Sequence, residues 1–215
     1  MEFEEVLNNR HSVRDFTNQT IDPKNLETIV TAAGKTPSWA NDQIWKVVVA
    51  TGSTLQKIKE YHLNAKRNGK IVQSEFPYMH RDSMGVQGRK NVVTWSSGLQ
   101  RFLGPDSFQM GQGSNLLFNA PAVAYLLMPA KSSLWSAYDL GAFGQTLMLS
   151  AANLGIDSMP AAEFVSFPQE LHRILDVSNN YQFGMGIGLG YKSDLKINQF
   201  RSKRMDLKEY FTIKD

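Results

Sequence analysis

The sequence predicts one domain, spanning residues 1–215, that mixes α-helices with β-strands. Three observations carry this reading. Segments with helical and strand-like apolar spacing are interleaved from end to end; 42% of the residues are apolar; and no repeat, low-complexity run or linker divides the chain. A chain of 215 residues buries roughly 70% of the surface its unfolded form exposes. It can hold a core without staples, and with no cysteine it has no disulfide.

Phe3, Val6 and Leu7 recur at helical spacing up to Asn8-Asn9, which leaves Arg10 to Arg14 in a loop. Asp22-Pro23 reads as an N-cap with proline at the first helical position; Leu26, Ile29, Val30 and Ala33 form the apolar face, and Gly34 is the stop. Gln43 to Ala50 is rich in β-branched residues and reads as a strand. Ser53 to Leu63 reads as a helix with Leu55, Ile58 and Leu63 inward. From Ala65 to Ser114, glycine, basic, amide and aromatic residues alternate without a clean period, and only Val92 to Leu103 reads as helical. Ala120 to Met128 is a buried strand, and Ser133 to Leu154 a long, largely apolar helix stopped by Gly155. The small residues Gly141, Ala142, Gly144, Ala151 and Ala152 would admit a second helix at close range. Ser158 to Phe164 reads as extended, Pro168 opens a helix to about Leu175, and Tyr181 to Tyr191 is the last strand. In that strand Gly184, Gly186, Gly188 and Gly190 fall at period two, which predicts one bare face with a close-packed helix or a ligand lying flat against it.

Composition excludes several chemistries. Without cysteine there is no thiolate nucleophile, iron–sulfur ligation or Cys-based zinc site, so redox chemistry requires a bound cofactor. His11, His62, His80 and His172 show no metal-ligand spacing, and neither G-x-x-x-x-G-K-[ST] nor G-x-S-x-G occurs. A net charge of +3 without a clustered basic face fits an anionic small ligand about as well as nucleic acid, and the lack of an RNA-binding signature or a basic helix stripe then predicts no nucleic-acid partner. Met1 to Glu5 is acidic rather than signal-like, and the longest apolar run, Ala120 to Ala130, contains Pro121 and Pro129. These features predict a cytoplasmic protein with no membrane partner.

Arg10-His11-Ser12-Val13-Arg14 places two guanidinium groups, a hydroxyl and an imidazole within five residues. Arginine offers a rigid fork that meets phosphate oxygens two at a time, and serine adds a short neutral donor. Taken alone, such a run also fits a solvated surface. Its continuation, Asp15-Phe16, and three later stretches decide between the two: Pro37-Ser38-Trp39-Ala40-Asn41-Asp42-Gln43-Ile44-Trp45, Asp139-Leu140-Gly141-Ala142-Phe143-Gly144-Gln145 in the long helix, and Leu189-Gly190-Tyr191. In this order they resemble the motifs of the FMN-dependent nitroreductase family.

The resemblance implies an α+β fold with a central mixed, largely antiparallel sheet flanked by helices. It implies a homodimer whose C-terminal tail crosses to the partner. It also implies ping-pong reduction of electron-poor small molecules, nitroaromatics or quinones, with NADH or NADPH as reductant. Alternatives are a flavin reductase or dehydrogenating enzyme of the same family, and an FMN-binding regulatory or storage protein. Carried over by position, Arg10, His11, Ser12 and Arg14 resemble the family's ligands to the FMN phosphate and pyrimidine edge, with Arg201, Lys203 and Arg204 as C-terminal partners. Pro37, Ser38, Asn41 and Gln43 match positions that reach the flavin of the neighbouring subunit, while Trp39 and Trp45 read as packing residues. Pro160, Ala161, Ala162 and Glu163 resemble the P-x-G-G-F segment whose backbone lies over the reactive ring. Two departures stand out: Ile44 replaces a proline, and Ala162-Glu163 replaces a glycine pair, which narrows the space above the ring. Further pyrimidine-edge ligands belong to the Ala65 to Asn91 region, with Gln73, Arg89 and Lys90 as candidates.

Overall fold

The computed structural model describes every residue from Met1 to Asp215 except Tyr78. Seven α-helices are present among the described residues: α1 (Phe3–Asn9), α2 (Pro23–Ala33), α3 (Gly52–Arg67), α4 (Gly85–Leu103), α5 (Phe108–Asn115), α6 (Leu134–Asn153) and α7 (Pro168–Leu175). They flank a four-stranded sheet of β1 (Lys46–Thr51), β2 (Ala122–Pro129), β3 (Asp157–Ala161) and β4 (Tyr181–Gly190), in the order β1-β2-β4-β3. Every strand pair is antiparallel. The mixed character expected of the sheet reduces to one isolated parallel bridge between Ser12 and Ser158 of β3. No helix among the described residues is long and apolar enough to cross a membrane.

Period-two geometry divides the core into two layers. Along β2, Ala122, Ala124, Leu126 and Met128 pack with Ile29 of α2 and with Leu140, Phe143 and Leu147 of α6. The alternate residues Val123, Tyr125 and Leu127 pack with Leu55 and Ile58 of α3 and Leu171 of α7. This central strand is covered on both faces, so its sequence is an unbroken apolar run rather than an alternating one. Each large apolar side chain buried this way contributes about 1.5–3 kcal/mol. A smaller third cluster joins Leu99 and Leu103 of α4 to Ile197, with Trp95, Met110 and Phe200 around it.

Local chemistry accounts for most element ends. Asp22 Oδ1 accepts from the Lys24 N–H at 2.9 Å, and Pro23 follows at the first helical position. Gly155, at φ +72°, lies just beyond α6. Elsewhere the expectations need correction. The Gln43 to Ala50 strand begins only at Lys46, because Ala40, Asn41 and Gln43 adopt left-handed backbone and form a turn. The helix expected over Ser53 to Leu63 runs from Gly52 to Arg67, and its inward positions include His62 and Ala65, while Leu63 is only half-buried. The extended segment from Ser158 ends at Ala161, where a 3-10 turn, Ala162–Val165, takes over. Within α6, Gly144 admits the sheet, meeting Leu126 and Ile187, whereas Gly141 faces outward with nothing near it.

The glycine-rich strand β4 departs from expectation most instructively. A bulge lies opposite Leu126 and Leu127, so Gly184 falls on the α6 side, where a Cβ would lie 2.5 Å from Leu140. Gly186, Gly188 and Gly190 occupy the other face. There an added Cβ would lie 2.3 Å from Phe164 Cβ, 2.6 Å from Phe164 Cζ and 2.6 Å from Pro121 Cδ. The side chains of Phe164 and Pro121 fill the space against these three glycines.

Candidate functional site

Arg10 is the C-cap of α1, its N–H bonded to the Val6 carbonyl at 3.0 Å. Its guanidinium is half-buried, and its pKa is lowered first by that burial and then by the neighbouring charge of Arg204. The His11 ring faces Asn9: Nδ1 lies 2.8 Å from a carbonyl oxygen that can only accept, so Nδ1 carries the proton. Burial depresses the His11 pKa, and Arg201 and Lys192 add to that effect while the Asn9 contact and Asp157 oppose it. Ser12 bridges to Ser158, which fixes the loop against β3. Arg14 is 9% exposed, donates to the Ser12 carbonyl at 3.2 Å and holds its guanidinium 5.8 Å above the Trp95 ring.

Arg201, Lys203 and Arg204 are all exposed on the segment after Phe200. The C-terminal segment runs near the loop, with Arg10 within electrostatic reach of Arg204 and His11 of Arg201. Among the described residues, none of Arg10, Arg14, Arg201, Lys203 and Arg204 pairs with a carboxylate. His11 Nε2 and Arg14 Nε are buried and have no hydrogen-bond partner among the described residues. A small cleft of about 40 Å³ opens beside Arg10 and His11, between Gly155 and Ser158. Unpaired cations and orphaned buried nitrogens together make a site suited to an anion.

The Pro37–Gln43 loop lies elsewhere on the chain. Ser38 Oγ accepts from the Gln43 N–H at 3.0 Å, and the Asn41 carbonyl accepts from Gln43 Nε2 at 3.4 Å. The buried Asp139 of α6 accepts from the Trp39 N–H at 2.9 Å and so pins the loop. Pro37, Asn41 and Gln43 are exposed and Ser38 is half-buried. Trp45 packs on Phe143 with ring centroids 5.0 Å apart, but Trp39, expected to pack, is 65% exposed. Asp139 sits near the start of α6, whereas the Arg10 cleft abuts Ala152 near its end. At 1.5 Å per residue these anchor points are about 20 Å apart. One chain therefore does not bring the two groups of candidates together.

Pro160 and Ala161 pair with Ile187 and Gly186 of β4, and Ala162 and Glu163 begin the following turn. The Glu163 carboxylate is turned onto α3, with Lys66 Nζ at 2.9 Å and His62 Nε2 at 3.3 Å; Ser114 Oγ donates to its second oxygen at 3.4 Å. Burial acts to raise its pKa, but the His62 and Lys66 contacts outweigh burial and lower it. Of the Ala65 to Asn91 candidates, Gln73 and Lys90 are exposed and Arg89 reaches only the Asp82 carbonyl, at 3.4 Å.

A family model described as the nitroreductase family matches residues 7–191. The chain belongs to the nitroreductase family. It is 30% identical, over 96% of its length and 90% of the relative's, to nitroreductase NfnB of Mycolicibacterium smegmatis. It is 27% identical to a 4-nitrobenzoate reductase of Pseudomonas putida, over 94% of this chain and 91% of that one. Among solved structures it resembles the FMN-dependent nitroreductase NfnB of Mycobacterium smegmatis in complex with NADPH, with a TM-score of 0.91 and 28% identity over 99% and 97% of the two chains. A nitroreductase with bound FMN from Desulfitobacterium hafniense shares the fold at a TM-score of 0.67 and 21% identity, over 100% and 99% of the two chains.

Within this nitroreductase, sequence reasoning left four contributing residues without a role. Asp139 lay in a quoted motif as the first residue of its helical pattern, and only the structure shows it holding the Trp39 loop. Trp95 lies in the Val92 to Leu103 helix, where the sequence pattern gave it no link to Arg14. Asp15 and Asn198 form a buried knot behind the Arg10–Arg14 loop, and an asparagine in a short 3-10 turn carries no sequence signal that would reveal this.

Proposed function

We propose that this nitroreductase binds FMN and uses NADH or NADPH to reduce nitroaromatic compounds, and quinones as electron-poor analogues, as a homodimer. The cationic cluster carries the reading. It gathers Arg10, His11, Arg14, Arg201 and Arg204 with no carboxylate partner to the arginines and with two buried nitrogens unsatisfied. A phosphate monoester fits that chemistry: it brings charge and several acceptor oxygens to arginine forks and the Ser12 hydroxyl. When bound, FMN supplies the redox chemistry, accepting hydride and passing two electrons on. The chain's own residues then anchor the phosphate and present the backbone of Ala162 and Glu163 beside the anchored loop. Exposed Leu134, Trp135 and Tyr138 on α6, with Trp39 beside them, support the dimer, since they form an uncovered apolar face next to the Pro37–Gln43 loop. The uncovered Leu207, Tyr210, Phe211 and Ile213 of the tail support its crossing to a partner.

The test is direct. Acid precipitation of the purified protein should release FMN in a ratio near one per chain. Anaerobic NADPH should bleach the flavin, and 4-nitrobenzoate should restore the colour. A chain that cannot be loaded with FMN refutes the reading, and bleaching that no nitroaromatic reverses refutes the substrate class.

A further inference from the structure

Asn198 is 4% exposed, and every hydrogen-bonding position of its side chain is used. Its Oδ1 accepts from the Arg14 N–H at 2.8 Å and from the Asp15 N–H at 3.2 Å. Its Nδ2 donates to the Asp15 carbonyl at 2.7 Å and to the Ser193 carbonyl at 3.1 Å. The neighbouring groups join the same knot. Asp15 accepts from Asn119 Nδ2 at 2.8 Å and from the Ser193 hydroxyl. On the far side, the Asn198 carbonyl accepts from Arg201 Nη1 at 2.8 Å.

The carboxamide therefore sits between two stretches of chain separated by more than 180 positions in sequence. One is the loop that bears Arg10, Ser12 and Arg14. The other is the segment that goes on to Arg201 and Arg204. Only an amide presents two acceptor and two donor directions in one plane, so no other side chain of similar size can bond two N–H groups and two carbonyls at once. Beyond Asn198, Phe200 packs on Phe102 with centroids 5.6 Å apart, and Met205 Sδ accepts from Asn91 at 2.9 Å. These contacts lead the segment along α4. Asn198 bonds it to the N-terminal loop through its buried carboxamide, and Ser193 adds its hydroxyl and N–H on Asp15.

We infer that Asn198 is a positioning residue for the anion site: it clamps the C-terminal basic segment to the Arg10–Arg14 loop, so that Arg201 and Arg204 act on the same phosphate as Arg10. The inference rests on the reading of that site as the FMN phosphate site. The effect of Asn198 passes through the arginines it places.

The experiment is a double-mutant cycle on FMN affinity, read by flavin fluorescence quenching during titration of flavin-stripped protein. R204A should weaken FMN about tenfold, the loss expected for one charge-assisted contact. N198A should weaken it at least as much, and N198A/R204A should bind no more weakly than N198A alone, because the arginine is already misplaced. Amide exchange of residues 199–204 in the flavin-free protein should quicken in N198A. A residue that served stability alone would lower the melting temperature and leave the two losses multiplicative. N198D keeps the shape and both acceptor directions but sets a carboxylate against the Asp15 and Ser193 carbonyls; it replaces N198A in the cycle if the alanine variant does not fold. Multiplicative losses, with normal FMN binding by the parent protein, overturn the clamp and leave the function standing. A parent protein that takes up no FMN overturns the function reading and the clamp with it.

Discussion

At the scale of single residues, Arg10 bears the clearest energetic conflict in the molecule. It is half-buried, lies within electrostatic reach of Arg204, and has no carboxylate partner among the described residues. Desolvating a guanidinium beside a like charge is unfavourable unless an anion joins them. A charge-assisted hydrogen bond contributes about 1.5–3 kcal/mol, so Arg10→Ala should weaken FMN binding roughly tenfold to a hundredfold. Arg10→Lys should recover part of the loss, since it keeps a point charge but not the fork. The two states should separate in melting: without FMN the alanine variant should be no less stable than the parent, because a repulsion is gone, while FMN should raise its melting temperature by less. An unchanged affinity in Arg10→Ala would place the phosphate elsewhere. This residue was legible in the sequence because its neighbours, Ser12 and Arg14, repeat the same chemistry at short spacing. Asn198 was not, because its function lies in bonds to backbone groups far off in the chain, and those bonds leave no local pattern.

At the scale of elements, β4 and the turn that follows β3 are built for each other. Gly186 and Gly188 make the flat surface, and Phe164, four residues after Pro160, lies across it. The packing holds the turn containing Ala162 and Glu163, whose carboxylate is tied on the other side to Lys66 and His62. Gly186→Ala would put a Cβ 2.3 Å from Phe164 Cβ, an atom at the stiff root of its side chain. Overpacking of this kind costs about 1–3 kcal/mol. A domain of this size loses roughly 2–4 °C of melting temperature per kcal/mol, so a thermal melt should show a fall of several degrees. An unchanged melting temperature would mean that Phe164 does not press on the strand. The bare face itself was readable from period two, but its occupant was not, since a glycine reports only that something comes close. The same contrast runs through the other elements. Asp22-Pro23 and Gly155 announce helix ends through local chemistry, and β2 announces burial through an unbroken apolar run. The start of β1 was hidden because three non-glycine residues adopt left-handed backbone, and the beginning of α4 before Val92 because none of Gly85 to Asn91 is buried.

At the scale of the whole molecule, α6 sets the geometry that one chain cannot overcome. It holds the Pro37–Gln43 loop near its beginning through Asp139 and the Arg10 cleft near its end, about 20 Å away by helical rise. If both groups serve one flavin, as the family resemblance implies, the second group must come from another copy. The face that would meet that copy is uncovered: Leu134, Trp135 and Tyr138 are 90%, 68% and 73% exposed at neighbouring positions of the first turns of α6. Twofold symmetry would bury this patch against itself. Placing arginine at Trp135 and Tyr138 should therefore set like charges against each other across the contact without touching the core. Light scattering should fall from the mass of two chains to that of one, with far-ultraviolet circular dichroism unchanged. FMN affinity should fall with it, by more than in Arg10→Ala, because the variant loses the partner's whole loop rather than one phosphate contact. The cluster of Arg10, Arg14 and Asn198 remains intact in such a monomer, so residual weak binding of FMN is expected at high concentration. A monomeric variant that holds FMN as tightly as the parent would show that the site is complete within one chain, and that the exposed face of α6 serves something else.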